Sequence, residues 1–322
     1  MAPFSNLLRL TRPGNLLIVA VTMLVVRFFV VGSEIQRSAI GMDFGINGFD
    51  FFLQILVAVM LTAAGNIIND YFDQKVDRIN KPGKVIIGKL VKRRVAIILH
   101  QLLNIGAVLI SLYLCIRTDF WWPMLIPVLI ATLLWWYSPY LKKKVWIGNA
   151  AIALCTSAVP IWAGVFELHQ LRKNYLDMLV RGEAFFEWLY ILIYALAVFA
   201  FILTLIREAQ KDMEDLPGDT EGGYQTMPIK MGIGFTKRYV FVLLGFYIVS
   251  ALYFLLQLYK VPGLNAVVFV VVAILLLAPS ALSFWATLRA ETPAHFHKAS
   301  FYTKCMMIAG LISFCILSYL MV

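Results

Sequence analysis

The chain has 322 residues, of which 61% are hydrophobic and 14% are charged, and its formal net charge is +10. Soluble domains are about half apolar and about one quarter charged, so this composition excludes an ordinary soluble fold and predicts a polytopic membrane protein. The basic excess requires no nucleic-acid partner, because attraction to anionic membrane lipids accounts for it.

About nine apolar stretches have roughly the 20 residues that a helix needs to cross the hydrocarbon core. We therefore expect an all-α fold, a bundle of about nine transmembrane helices that forms a single membrane domain over residues 1–322. A β-barrel is excluded, because the apolar runs are continuous and do not alternate with polar residues. The predicted spans begin near Asn15, Phe49, Val95, Trp121, Val145, Trp188, Tyr239, Leu264 and Phe301.

The basic residues predict the orientation of the chain. The N-terminus and the connections on its side of the membrane hold about 21 of the 28 lysines and arginines, which marks that side as cytoplasmic. The first apolar run contains Arg27 and lacks a small-residue cleavage site, so we expect a retained helix rather than a signal peptide. No organelle leader is evident, which favours a prokaryotic plasma (inner) membrane. The charged stretch from Glu167 to Glu187, on the opposite side, is expected to be a solvated connection with a short surface helix.

Two acidic blocks share the spacing D-x2-D-x3-D. The first block is Asn66, Asp70, Asp73 and Asp77, and the second is Glu208, Asp212, Asp215 and Asp219. On an uninterrupted helix these positions form a stripe on one face. Like charges on one face repel each other, so the blocks indicate bound cations, and Mg²⁺ held together with substrate phosphates is the commonest arrangement. The recurrence at 66–77 and 208–219 also suggests two related halves.

Basic residues close to the acids indicate a phosphate-bearing substrate. Arg78 and Lys81 follow the first block, Arg207 and Lys211 lie within the second, and Lys142 and Lys143 lie in another connection predicted on the same side. Carboxylates for Mg²⁺ and cations for phosphate oxygens together predict a pyrophosphate site. For Lys84 and Lys144 we favour contact with lipid headgroups instead.

A pyrophosphate group at the end of an apolar helical bundle suits an isoprenyl diphosphate, whose hydrocarbon tail would lie between the helices. Cleavage of its C–O bond leaves an allyl cation that needs a water-free, π-rich lining. Four aromatic residues are candidates for that lining, namely Trp135, Trp136, Tyr137 and Tyr140.

The motifs resemble those of a known family. Asn69 to Asp77 matches the N-D-x2-D-x3-D signature of the UbiA-type intramembrane prenyltransferases, and Asp212 to Asp219 matches their second aspartate-rich motif. The similarity continues through Arg12-Pro13-Gly14-Asn15, Tyr137-Ser138-Pro139 and Gly148-Asn149. It implies that both motifs bind Mg²⁺, two ions per site, together with the prenyl diphosphate.

The site follows from the residues and from this resemblance together. The predicted metal ligands are Asn69, Asp70, Asp73, Asp77, Asp212, Asp215 and Asp219. The predicted catalytic residues are Asp73, Asp77, Asp215, Asp219, Tyr137 and Lys142. The predicted substrate-binding residues are Asn66, Arg78, Lys81, Lys143, Asn149, Arg207 and Lys211.

The second prenyl-transfer substrate is a lipid-soluble acceptor. The segment from Arg207 to Asp219, continuing to Pro228, resembles the branch of the family that contains digeranylgeranylglyceryl phosphate synthases and chlorophyll synthases. We expect geranylgeranyl transfer to geranylgeranylglyceryl phosphate, with an aromatic, quinone-precursor or tetrapyrrole acceptor as the alternative.

Two other classes of membrane protein use intramembrane acids. A cation transporter would continue its acids across the membrane, whereas these cluster at one side and only Arg27 lies deep in a predicted span. An alcohol phosphotransferase that uses CDP-alcohols would carry a D-G-x2-A-R opening, which this sequence lacks.

Overall fold

The computed structural model describes residues 4–37, 41–80, 82–83, 85–181, 186–260 and 264–321. Over these residues every regular element is a helix, and the single β interaction is an isolated bridge between Ile87 and Val91. The predicted all-α class is confirmed. Lys81 and Lys84 lie outside the described residues.

Nine helices of the described chain are long and apolar enough to cross a membrane. They are Pro13–Gln36, Gly48–Phe72, Arg93–Thr118, Trp122–Leu141, Ile147–Asn174, Glu187–Glu214, Ile233–Tyr259, Ala266–Arg289 and Pro293–Ile316, here the first to ninth spans. The ninth helix begins at Pro293 rather than near Phe301, because it includes a polar first turn that hydropathy alone does not mark. The multi-pass membrane architecture is thereby confirmed.

Shorter helices extend or connect the spans. They are Phe4–Thr11, Gln74–Asn80, Leu176–Val180, Leu216–Glu221 and Met227–Met231. The first span contains a π-helical segment, Val25–Val31, and the fourth span begins with a 3₁₀ turn, Trp122–Met124, and ends with a π-helical turn, Tyr137–Leu141.

The chain divides into two compact units. The first unit comprises Met1–Leu141 and Ser157–Ala197, and the second comprises Lys142–Thr156 and Val198–Met321. The first acidic motif belongs to the first unit and the second motif to the second unit.

A buried ion pair lies in the core of the first unit. Nη1 of Arg27 donates to Oε2 of Glu167 at 3.0 Å, and Oε1 of Glu167 accepts the backbone N–H of Gly45 at 2.6 Å. The Arg27 guanidinium lies over the rings of Phe44 and Phe51, 4.4 and 4.5 Å from their centroids. The pair therefore fastens the segment before the second span to the first and fifth spans.

This ion pair corrects the prediction that Glu167 lies in a solvated connection. Glu167 is 0% exposed inside the fifth span, which continues to Asn174. A carboxylate can be buried there because Arg27 supplies the opposite charge. The expected short helix is present at Leu176–Val180, and none of its residues is buried.

A closed polar network lies in the core of the second unit. The Gln210 amide group donates to Ser283 and Thr287 at 3.1 and 2.9 Å and accepts from Thr303 at 2.8 Å. All four residues are 0% exposed. Because each polar group is paired, the network joins the sixth, eighth and ninth spans.

Candidate active site

The first acidic motif lies at a break between two helices. The second span ends at Phe72, Asp73 has φ −81° and ψ 2°, and the helix Gln74–Asn80 follows. The N–H of Asp73 donates to the carbonyl of Asn69 at 3.0 Å, and the N–H of Asp77 donates to the carbonyl of Asp73 at 2.8 Å. The prediction of one uninterrupted helical stripe is therefore wrong for this motif, because a ψ near zero interrupts the helix at the middle aspartate.

The second acidic motif has the same local geometry. Asp215 has φ −89° and ψ 5° between the sixth span and the helix Leu216–Glu221. Its N–H donates to the carbonyl of Lys211 at 2.8 Å, and the N–H of Asp219 donates to the carbonyl of Asp215 at 3.0 Å. The recurrence predicted from the sequence spacing thus extends to the backbone.

The two breaks have different local causes. Pro217 follows Asp215 at the start of the next helix, where its missing N–H is tolerated but where it cannot continue the preceding helix. No proline follows Asp73. There, Nε2 of Gln74 donates to the carbonyl of Tyr71 at 2.8 Å. This bond satisfies one of the carbonyl groups that the end of the second span leaves without a partner in the helix.

The breaks change how the acids meet the helix dipoles. The sequence predicts both acidic blocks at the C-terminal ends of spans, where the helix dipole disfavours negative charge. Asp77 and Asp219 instead lie in the first turn of a new helix, where a negative charge is favourable. Asp73 and Asp219 are also nearly enclosed, at 2% and 3% exposure.

Arg12 supplies a counter-charge to the first motif. Its guanidinium pairs with Asp70, and Nδ2 of Asn66 donates to the carbonyl of Thr11 at 2.8 Å. Burial lowers the pKa of a guanidinium, but the carboxylates of the first motif, Asp70 foremost, more than offset it, so the pKa of Arg12 is raised. Sequence reasoning noticed Arg12 only as part of a family-like segment and missed this contact.

The backbone at Arg12 fixes the contact with the motif. Arg12 has a left-handed conformation, φ 54°, immediately before Pro13 and the first span. The preceding helix, Phe4–Thr11, is anchored by Leu10, which is 0% exposed and packs in a cluster with Ile67 and Ile87. The N-terminal segment is thus packed against the helix that carries the first motif.

The basic residues of the second motif share one carboxylate. Glu208 pairs with Arg207 at 3.1 Å and with Lys211 at 2.9 Å, and it is 8% exposed. Nδ2 of Asn149 donates to Oδ2 of Asp212 at 2.8 Å. Glu208 was noticed in the sequence for its spacing but was assigned no role, because a pattern of charges does not show which cation each acid pairs with.

The loop after the second motif joins it to two predicted lysines. Nζ of Lys142 and Nζ of Lys143 lie 5.9 and 5.5 Å from the ring centroid of Tyr224. The N–H of Tyr224 donates to the carbonyl of Asp219 at 2.9 Å, and the N–H of Gln225 donates to the carbonyl of Lys143 at 3.0 Å. Tyr224 was missed, since nothing in its local sequence distinguishes it.

The four predicted aromatic residues have different environments. Tyr137 is 7% exposed, whereas Trp136 and Tyr140 are 51% and 55% exposed and contact each other at 5.2 Å between ring centroids. Trp135 stacks on His100 at 5.5 Å. Tyr137 is therefore the most enclosed of the four.

The predicted substrate-binding residue Arg78 is exposed on the Gln74–Asn80 helix.

The structure groups the predicted site residues by unit. In the first unit are Asn66, Asn69, Asp70, Asp73, Asp77, Arg78 and Tyr137, and in the second are Lys142, Lys143, Asn149, Arg207, Lys211, Asp212, Asp215 and Asp219. Within the described residues, no group of three or more His, Cys, Asp or Glu side chains is arranged to hold a metal ion by itself. The donors of both motifs are carboxylate oxygens, which fit a hard cation such as Mg²⁺ that takes its remaining ligands from water and substrate phosphates.

The helical membrane fold and the two aspartate motifs define a class of protein, the polytopic membrane proteins with paired acidic motifs at helix breaks. The model of the UbiA prenyltransferase family matches residues 38–304. The chain therefore belongs to the UbiA prenyltransferase family, and it is a prenyltransferase.

Individual relatives cover nearly the whole chain. The digeranylgeranylglyceryl phosphate synthase of Methanobrevibacter smithii is 29% identical over 317 residues, 98% of each chain. The protein of the same name from Thermococcus kodakarensis is 25% identical and also covers 98% of each chain.

Two solved structures share the fold. One concerns digeranylgeranylglyceryl phosphate synthase in membranes, with a TM-score of 0.62 and 23% identity over 99% of each chain. The other is a UbiA homolog from Archaeoglobus fulgidus bound to DMAPP and Mg²⁺, with a TM-score of 0.56 and 14% identity over 96% of this chain and 99% of that one.

Proposed function

We propose that this prenyltransferase moves a geranylgeranyl group from geranylgeranyl diphosphate to the free hydroxyl of geranylgeranylglyceryl phosphate and releases pyrophosphate. The observation that carries the proposal is the repeated motif, whose middle aspartates, Asp73 and Asp215, lie at matching helix breaks. The acceptor is inferred from the similarity to synthases of that name along nearly the full chain.

The two motifs would hold Mg²⁺, two ions in all, with Asp73 and Asp77 of the first motif and Asp215 and Asp219 of the second as the principal ligands. Bound Mg²⁺ would neutralise diphosphate oxygens and so make pyrophosphate a better leaving group. Three observations support this assignment. The donors are carboxylates, Asp73 and Asp219 are buried, and the structure of the Archaeoglobus fulgidus relative contains Mg²⁺.

The protein's own cations would complete the diphosphate site. Arg207 and Lys211 share the carboxylate of Glu208, which holds both side chains on the motif's face of the sixth span. Lys142 and Lys143 lie beside the ring of Tyr224, and Tyr224 belongs to the loop that follows Asp219. We assign these four cations to phosphate oxygens, which Arg and Lys bind through charge-assisted hydrogen bonds.

The reaction exchanges one C–O bond for another. The bond between the prenyl C1 and the diphosphate oxygen breaks, the acceptor hydroxyl oxygen bonds to C1, and its proton passes to the released pyrophosphate. Tyr137, enclosed at 7% exposure, is assigned to the lining that stabilises positive charge at C1 and excludes water. No histidine is required as a base, because a developing allyl cation makes a neutral hydroxyl reactive.

We infer that the site opens to the cytoplasmic face of a prokaryotic plasma membrane. The positive-inside rule supports this orientation, because the connections that follow both motifs are rich in lysine and arginine. Both substrates carry phosphate groups, which would remain at that polar surface while their hydrocarbon chains lie between helices.

An acceptor panel tests the proposal. Purified protein is incubated with Mg²⁺, geranylgeranyl diphosphate and equal amounts of geranylgeranylglyceryl phosphate, a hydroxybenzoate, a naphthoate and a chlorophyllide, and products are identified by mass. We expect the diether lipid phosphate as the main product. Prenylation of only an aromatic or tetrapyrrole acceptor would refute the proposed acceptor while leaving prenyl transfer intact.

A further inference from the structure

A buried hydroxyl on the sixth span forms none of the contacts that helical threonines usually make. Thr204 is 3% exposed, and its Oγ1 has no hydrogen-bond partner in the described structure. Helical threonines often donate to the carbonyl four residues earlier. Thr62, Thr118 and Thr236 do so at 2.8, 2.7 and 3.0 Å. An unpaired buried hydroxyl destabilises a fold unless a bound molecule supplies its partner.

Thr204 lies on the helix face that carries the second motif. Glu208 and Asp212 follow it at intervals of four residues within one continuous helix, so the three side chains share a face. With a rise of about 1.5 Å per residue, Thr204 lies about 6 Å beyond Glu208 toward the middle of the span and about 12 Å beyond Asp212. Thr204 thus marks a more apolar level than the acids do.

The chemistry of the two levels differs. At the level of Glu208 the side chains are charged, with Arg207 and Lys211 on the same carboxylate. At the level of Thr204 the sixth span carries Ile202, Leu203 and Ile206, which belong to a buried hydrophobic cluster. A diphosphate needs the charged level, whereas a neutral hydroxyl at the apolar level of the span suits a neutral oxygen.

We propose that Thr204 is a specificity-determining residue that hydrogen-bonds a neutral oxygen, hydroxyl or ether, of the acceptor lipid. This contact would place the acceptor oxygen one helical turn inside the level that binds diphosphate. The inference rests on the proposed prenyl transfer to a lipid alcohol, and it assigns to that site a residue outside both aspartate motifs.

The substitution Thr204→Val tests this role because it keeps the shape of the side chain and removes the hydroxyl. We expect KM for the acceptor to rise about tenfold, the loss of about one hydrogen bond, with KM for geranylgeranyl diphosphate within about twofold of wild type. Thr204→Ser, which retains the hydroxyl, should keep the acceptor KM within about threefold of wild type. Because the variant Thr204→Val removes an unpaired polar group, its Tm should rise, so stability and acceptor binding should change in opposite directions.

Thr236→Val is the matched control, since Thr236 is 0% exposed and its hydroxyl is paired with the carbonyl of Gly232. It should leave both KM values unchanged and should not raise the Tm. An acceptor KM for Thr204→Val within twofold of wild type, or an equal rise in the diphosphate KM, would overturn the inference. If the wild-type enzyme prenylates a different acceptor, the proposed function fails, and the same KM comparison with that acceptor still decides the role of Thr204.

Discussion

Asp73 and Asp215 occupy equivalent positions, 142 residues apart in the sequence, with φ/ψ of −81°/2° and −89°/5°. In each case the N–H of the aspartate closes the last turn of a span, and its carbonyl accepts the N–H of the third aspartate of the motif. The backbone carries this likeness although only the second break has a proline. Two sites with one geometry are expected to respond alike to substitution.

Asp73→Ala and Asp215→Ala should each reduce turnover at least about a hundredfold, or about 2.7 kcal/mol in transition-state stabilisation. Each removes one proposed Mg²⁺ ligand at a helix break and leaves the apolar packing of the spans intact. The measurement is kcat at saturating Mg²⁺, with Tm as the check on folding. Asp177→Ala, at an exposed position of the Leu176–Val180 helix, is the control and should be neutral. Activity within a few-fold of wild type in either motif variant would refute the ligand assignment.

Arg12→Gln should make Mg²⁺ more important for stability. Without the guanidinium, the carboxylates of the first motif lose a counter-charge, so Tm in EDTA should fall below that of the wild type. Mg²⁺ should then raise Tm by more in the variant than in the wild type, because it replaces the missing positive charge. Arg9→Gln, at an exposed position of the same N-terminal helix, should give wild-type values in both conditions. Equal Mg²⁺ shifts in Arg12→Gln and wild type would contradict the pairing with Asp70.

Arg27→Met should destabilise the protein by about 3–5 kcal/mol, because it leaves the Glu167 carboxylate buried without its counter-charge. The double variant Arg27→Met/Glu167→Met should recover most of that loss, since it removes both charges and keeps apolar volume. Chemical or thermal unfolding of all three variants in detergent gives the coupling energy between the two residues. A double variant no more stable than Arg27→Met would show that the two charges act independently. Arg172 is exposed in the fifth span, so Arg172→Met is the control for the loss of an arginine and should change stability little.

Gln210→Leu should lower the free energy of unfolding by about 2 kcal/mol, because it removes the amide group that pairs with three buried hydroxyls. The effect should appear as a lower Tm. The exposed Gln257, on the seventh span, provides the matched Gln→Leu control and should change Tm little. A Tm of Gln210→Leu equal to that of wild type would mean that Ser283, Thr287 and Thr303 pair satisfactorily among themselves.

Local sequence patterns predicted the helical class and the nine spans, because apolar length is a direct property of the sequence. They also located both motifs, whose spacing is visible without a structure. The interruptions at Asp73 and Asp215 were not predicted, since a D-x2-D-x3-D pattern is equally compatible with a continuous helix.

Long-range pairs could not be predicted from single positions. Glu167 precedes a charged stretch and was expected to be solvated, yet its partner Arg27 lies 140 residues earlier. Arg12 and Asp70 are likewise 58 residues apart. In both cases the charge of each residue was evident in the sequence, but its partner is determined only by the packing of the helices.

The proposed reaction is tested by the stoichiometry of the products that the purified protein forms. With Mg²⁺, geranylgeranyl diphosphate and geranylgeranylglyceryl phosphate, we expect one pyrophosphate released for each diether lipid phosphate formed, and neither product in EDTA. Release of pyrophosphate without a prenylated lipid would refute prenyl transfer to this acceptor, and undiminished transfer in EDTA would refute its dependence on Mg²⁺.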